Sequence, residues 1–154
     1  MTRTTRYQGA IIQDDHILLI KHTEHASGRS YWLMPGGGIE LGETEEACVQ
    51  REMQEETGLR VQVLSLLFEE PDIPNGVYQR KKTNLCRIID GDARPGYEPE
   101  LEAAAEYCIS EIGWFDLRDP SKWNELILRD PITYPFLQRL RAALGYEPAT
   151  GNAI

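Results

Sequence analysis

The 154-residue sequence predicts an α/β fold in which a mixed β-sheet is sandwiched between α-helices. Runs of β-branched and aliphatic residues of strand length recur along the chain. One strongly capped helical segment sits among them, and two more helical segments lie near the end. Strands and helices mix without strict alternation, which favours a mixed sheet flanked by helices over a purely parallel one. At about 150 residues per domain, the length predicts one domain, assigned to residues 1–146, large enough to bury a core without disulfides or a structural metal. Residues 147–154 have nothing to pack them and are expected to fray.

Residues 4–13 and 16–23 are rich in Thr, Ile, Leu and Tyr around Asp14-Asp15, which reads as two strands joined by a tight turn. Residues 24–31 are polar and contain Ser27-Gly28, a loop. Trp32-Leu33-Met34-Pro35 then leads into Gly36-Gly37-Gly38, where the backbone either approaches something closely or needs positive φ. Residues 45–57 are the clearest helix. Thr44 caps its start, Glu45 and Glu46 suit the positive end of its dipole, and Gly58 stands where a terminating glycine belongs. Strands are expected over 60–69 and 77–89, divided by the turn-rich run Pro71-Asp72-Ile73-Pro74-Asn75-Gly76. Residues 90–100 carry enough Gly and Pro to form a long loop, a place where function often resides. Another strand is expected over 106–116, then helices over 121–129 and 132–144 separated by Pro131.

Charge excludes some functions. Sixteen basic against 25 acidic residues give −9, and no basic stripe with interleaved aromatics exists to grip a nucleic acid. No apolar run approaches the roughly 18 residues of a membrane span, and the first dozen residues hold Arg3 and Arg6 without an apolar signal region. A cytoplasmic protein is the expectation. Cys48, Cys86 and Cys108 are too few and scattered for a zinc site or a disulfide framework, and read as buried thiols in a reducing compartment. A chain this acidic that handles an anionic substrate needs a local reversal of field, which a divalent cation supplies.

The 45–57 helix carries the chemistry. In projection at about 100° per residue, Glu52, Glu55 and Glu56 fall beside the apolar stripe of Val49 and Met53, while Gln50 and Gln54 lie on the far side. A merely solvated acidic face belongs opposite the core, where the glutamines are. Carboxylates three and four residues apart repel one another, more so out of water, unless a cation compensates. Clustered oxygens of this kind suit a hard ion such as Mg²⁺.

Gly37, Glu43 and Arg51-Glu52-Met53-Gln54-Glu55-Glu56-Thr57-Gly58-Leu59 together resemble the Nudix box, G-x5-E-x7-R-E-U-x-E-E-x-G-U, with every fixed position filled. Seven fixed residues would coincide by chance roughly once in 10⁸ placements. The strand pair before the box, the Trp32 to Gly38 entry and the later Gly113-Trp114-Phe115 run extend the resemblance over most of the chain. The resemblance implies the Nudix fold and a Mg²⁺-dependent hydrolase, with Mn²⁺ as a substitute, that cleaves a nucleoside diphosphate linked to another group by attack of water. It implies metal ligation by Glu52, Glu55, Glu56 and the Gly36 carbonyl, with Glu55 as first choice for positioning the water. Arg51 is expected to hold Glu55 by a forked hydrogen bond and joins the catalytic set, Glu43 to brace the glycine run or Arg51, and Gly37 and Gly58 to give structural support. Glu111 or Glu106 could supply a further base or ligand.

Substrate contacts are expected from Lys21, toward phosphate, and from an aromatic on which a base stacks: Tyr31, Trp32 or Tyr78. Of Arg80, Lys81 and Lys82, alternate members face opposite sides. His22 and His25 read as loop residues, since Mg²⁺ prefers oxygen. The partner expected is a small nucleotide, with a homodimer open. The alternative function is a nucleotide-binding module of ADP-ribose type without turnover. Such modules typically lose box glutamates, and this chain keeps them all.

Overall fold

The computed structural model describes residues 4–74, 76–97 and 101–148. Strands β1 (Thr5–Gln13) and β2 (His16–Glu24) form a hairpin whose turn residues, Asp14 and Asp15, have φ of 52° and 62°. That mirror-image turn matches the twist of paired strands. The hairpin is zipped only beside its turn, at Ile12 opposite Ile17 and Gln13 opposite His16. The strands then part. β1 goes on to pair in parallel with β6 (Arg80–Asp90) and antiparallel with β4 (Gly36–Gly38). β2 lies between β3 (Ser30–Leu33) and β7 (Tyr107–Asp116), antiparallel to both. β5 (Arg60–Pro71) pairs antiparallel with β6 and ends the strand order there. The result is the mixed sheet that the sequence predicts.

Helices cover both faces. α1 (Glu45–Thr57) sets Cys48, Val49 and Met53 against Tyr7 and Ile11 of β1, Leu18 of β2 and Val61 of β5. A Cβ on Gly9 would stand 2.6 Å from Met53 Sδ, so this glycine lets the helix settle directly on the strand. On the other face, α3 (Glu125–Leu128) and α4 (Thr133–Ala143) contribute Ile127, Phe136, Leu137 and Leu140 to a core with Ala10, Ile17, Leu19, Trp32 and Trp123. Neighbours along a strand therefore enter opposite cores: Ala10 and Ile11, or Leu18 and Leu19. Each fully buried aliphatic chain contributes about 1.5–3 kcal/mol.

Several expectations need correction. A further helix, α2 (Leu101–Glu106), precedes β7, so the strand begins at Tyr107 and Glu106 ends a helix. Its segment, Leu-Glu-Ala-Ala-Ala-Glu, is made of strong helix formers. Residues 121–129 are not one helix but a 3₁₀ turn at Pro120–Lys122 followed by α3. Trp123 is extended, and the Asn124 side chain takes the Leu126 amide at 2.8 Å to start a new helix. β6 begins at Arg80, which leaves Tyr78 in the connection before it. Cys108 is exposed, whereas Cys48 and Cys86 are buried. Of the tail, Glu147 and Pro148 have no regular structure and 149–154 lie outside the described residues; Tyr146 just before it donates to Asp15 Oδ1 at 2.5 Å. No helix among the described residues is long and apolar enough to cross a membrane.

Candidate active site

α1 starts and stops as its sequence dictates. The Thr44 side chain accepts from Ala47 N, and Gly58, at φ 76°, returns its N–H to Gln54 O. Between these ends Glu52 is 7% exposed and Glu56 only 1%, while Glu55 is half-buried. These are not solvated surface carboxylates.

The glycine run makes that burial possible. Gly36–Gly38 is strand β4, laid against Arg6–Gln8 of β1, with none of its glycines at positive φ. Close approach is what demands glycine. A Cβ on Gly36 would meet the β1 backbone, and one on Gly37 would collide with the Glu52 carboxylate. Gly36 N donates to Glu56 Oε1 at 2.7 Å.

Arg51 organises the remaining acids. Its Nε and Nη2 grip Glu43 at 2.7 and 2.9 Å, so the fork expected for Glu55 goes to Glu43 instead. Nη2 also donates to Gly38 O at 3.0 Å, and Nη1 to Glu52 Oε1 at 3.0 Å and both Glu55 oxygens at 3.3 Å. Glu43 accepts from Glu40 N as well, bracing both the loop and the arginine. The Arg51 hydrogen bonds hold the Glu43 carboxyl below its ordinary value, and Glu43 in turn raises Arg51. Burial pushes Glu52 up to about 7; Arg51 opposes the shift and Glu55 adds to it.

The 91–97 stretch closes the far end of α1. Arg94 N donates to Thr57 O, Gly96 N to Glu56 O and Tyr97 N to Glu55 O, at 2.9, 2.9 and 3.1 Å. These bonds satisfy helix carbonyls that would otherwise lack partners. Gly96 has no room for a side chain, since a Cβ there would strike the Glu55 carbonyl.

The model of the NUDIX domain family matches residues 3–140. The chain belongs to the Nudix family. An ADP-ribose pyrophosphatase of Methanocaldococcus jannaschii is 46% identical over 127 residues, covering 79% of this chain and 69% of the relative. A nudix hydrolase of Caenorhabditis elegans is 35% identical over 116 residues, 75% of this chain but 28% of that protein. An NAD-capped RNA hydrolase of Photobacterium profundum is 33% identical over 95 residues, 61% of this chain and 34% of the relative. The Nudix chain thus spans about a third of those last two proteins. A solved NUDIX hydrolase from Nitrosomonas europaea shares the fold at TM-score 0.68 and 21% identity, covering 97% of this chain and 76% of that one.

Not every expected site residue of this Nudix chain joins the carboxylates. Lys21 pairs with Glu111 at 3.3 Å and stands over the Trp32 ring at 5.8 Å. Residues opposite one another on paired strands share a face, and Lys21 alternates with Ile17 and Leu19 toward the α3–α4 core. Leu18 points the other way, toward α1. Lys21, Glu111 and Trp32 therefore form a cluster on the sheet face turned from α1. Trp32 is 4% exposed and packs edge-on against Phe115 at 5.0 Å; it is a core ring, not a stacking surface. Glu106 is exposed at the end of α2. Lys81 and Lys82 do alternate: Lys81 lies over Phe136 and Lys82 reaches Glu45 at the start of α1. His25 is exposed in the turn after β2, as expected, but His22 is buried within β2.

A residue that the sequence did not single out also acts on the carboxylates. Arg6 donates to Met34 O at 2.8 Å, and its charge is felt by Glu52. Gln8 is buried and donates to Thr83 Oγ1 at 3.0 Å. A depression of about 480 Å³ runs along the outer flank of α1, bordered by Gln50, Arg51, Gln54, Glu55, Arg60, Val61 and Ile89.

Proposed function

We propose that this chain is a Mg²⁺-dependent Nudix pyrophosphohydrolase. It cleaves the phosphoanhydride bond of a nucleoside diphosphate linked to another moiety, by attack of water on phosphorus. One observation carries the reading. Glu52 and Glu56, with Glu55 beside them, are held partly out of water on one stretch of helix, at the cost of raising the proton affinity of Glu52.

The donor set fits a hard divalent cation. Glu52, Glu55 and Glu56 offer only oxygen, the Gly36 carbonyl adds a neutral oxygen, and Gly37 keeps the space beside Glu52 clear of a side chain. Among the described residues no three acidic groups are yet gathered at ligand spacing. Arg51 donates to Glu52 Oε1 and to Glu55, and the Gly36 amide to Glu56 Oε1, so the carboxylate lone pairs that these bonds leave over would take the ion. Bound Mg²⁺, or Mn²⁺ in its place, would neutralise phosphate charge and acidify the attacking water.

The chain's own residues do the rest. Glu55, the most accessible of the three, orients the water and accepts its proton. Arg51 fixes the spacing of Glu52 and Glu55 through a guanidinium that Glu43 and Gly38 O prevent from swinging away. The partner is a small nucleotide. The name of the M. jannaschii relative makes ADP-ribose the first compound to assay, followed by other nucleoside diphosphate sugars and by nucleoside triphosphates. The complete carboxylate set speaks against a binding module without turnover. The test measures product release with Mg²⁺ for the wild type, Glu55→Gln and Glu56→Gln. Losses of at least about 100-fold support the assignment; full turnover by both variants defeats it.

A further inference from the structure

The β1–β2 hairpin opens after Ile12 and Ile17, and His22 lies on the stretch of β2 that has parted from β1. His22 is 4% exposed. It shares a strand face with Leu18, the face turned toward α1. Its ring is stacked on Tyr107 with centroids 4.1 Å apart and meets the edge of Tyr31 at 5.6 Å. Its Nε2 is buried without a hydrogen-bond partner. One guanidinium, that of Arg6, acts on His22, on Tyr31 and on Glu52, and it is anchored on Met34 O, two residues before Gly36.

A buried polar atom left unpaired is costly, and phenylalanine would fill the same slot between two tyrosines without that cost. Burial, with help from Arg6, pushes the imidazole down to about 3, so the ring is neutral at physiological pH. A neutral ring brings no charge to a phosphate, which Arg6 and a cation serve better. It suits an uncharged group with a hydrogen-bonding edge, arriving beside aromatic rings and close to the diphosphate.

We propose that His22 is a specificity-determining residue that hydrogen-bonds the nucleoside end of the substrate, base or ribose, through Nε2. The proposal rests on the functional reading above only for the identity of the substrate. Binding of a nucleotide tests it without turnover.

The experiment follows the three histidines, His16, His22 and His25, by ¹⁵N NMR in full-length protein labelled at histidine. The His22 signal is assigned by its loss in His22→Phe, or by elimination with variants of His16 and His25 should that variant not fold. Adenosine, guanosine and uridine 5′-monophosphates are titrated in turn, then inorganic pyrophosphate. The expected result is a shift of His22 Nε2 with at least one nucleotide and none with pyrophosphate. A signal unmoved by every nucleotide, or moved equally by pyrophosphate, overturns the proposal. In parallel, folded His22→Phe should keep or raise its Tm, while KM for the best substrate rises about tenfold, the worth of one hydrogen bond. Inhibition by pyrophosphate should not change. An unchanged KM also overturns the proposal. Wild-type protein that turns over no nucleotide would remove the functional reading but leave the NMR titration to decide the binding role.

Discussion

On the proposed reading, metal binding at Glu52 and proton release are one event. Its folded carboxyl titrates near 7, because the group is buried beside Glu55 with only partial relief from Arg51. It is therefore about 0.9 protonated at pH 6, half protonated at pH 7 and about 0.1 protonated at pH 8. A cation binds the carboxylate form, so Mg²⁺ must displace that share of a proton as it enters. Isothermal titration calorimetry in two buffers of different ionisation enthalpy at each pH measures the number directly. Released protons should fall from about 0.9 to about 0.1 across this range, and the Mg²⁺ affinity should weaken up to tenfold for the unit below pH 7. The sign for stability follows the same route. A carboxyl raised on folding stabilises fully below its unfolded value near 4.5, and that contribution, at most about 3 kcal/mol, is lost as pH rises through 7. Metal-free protein should be more stable at pH 5 than at pH 8 by this contribution, and Mg²⁺ should restore stability at pH 8. A proton release near zero and flat from pH 6 to 8, despite saturable binding, would refute the coupling.

Arg51→Lys removes the two-point grip on Glu43 and the bond to Gly38 O, so urea unfolding should report a loss of about 2–4 kcal/mol and turnover at least a tenfold drop. A loss under about 0.5 kcal/mol would mean the network is surface decoration. Gly37→Ala drives a methyl into the Glu52 carboxylate; circular dichroism should stay native while Mn²⁺ affinity, read by electron paramagnetic resonance, falls at least about tenfold. Native affinity would show that Glu52 can shift freely. His22, lowered on folding to about 3, contributes stability above about 6.5 that is lost as pH falls toward 3, up to about 5 kcal/mol. His22→Phe should therefore flatten the acid side of the stability curve between those values, and an unaltered curve would contradict the burial of a neutral ring.

The elements legible in the sequence were those whose signals are local. Thr44 and Gly58 mark the ends of α1 because capping depends on a few adjacent residues, and Asp14-Asp15 marks the hairpin for the same reason. Arg51, Glu52, Glu55 and Glu56 were legible because their spacing is fixed by one helix. What escaped depends on contacts between distant segments. Glu43, not Glu55, takes the Arg51 fork because β4 carries Gly38 O to the same guanidinium. Lys21 looked like a phosphate contact, but register with Trp32 and Glu111 turns it to the opposite sheet face. His22 sits inside β2, yet its burial comes from Tyr31 and Tyr107 on two other strands. The short α2 was hidden by a run of breakers just before it, and the 121–129 segment looked continuous because Asn124 as a cap resembles any polar helical residue.

The hydrogen-bonded run from Arg94 to Tyr97 rides on the helix that bears the acids, and that has a practical side for engineering. Inserting or deleting one residue between Arg94 and Gly96 shifts the Gly96 and Tyr97 bonds by a position and brings a side chain where none fits. Length changes introduced downstream of Tyr97 leave the ladder in step, so grafted recognition segments belong after that residue.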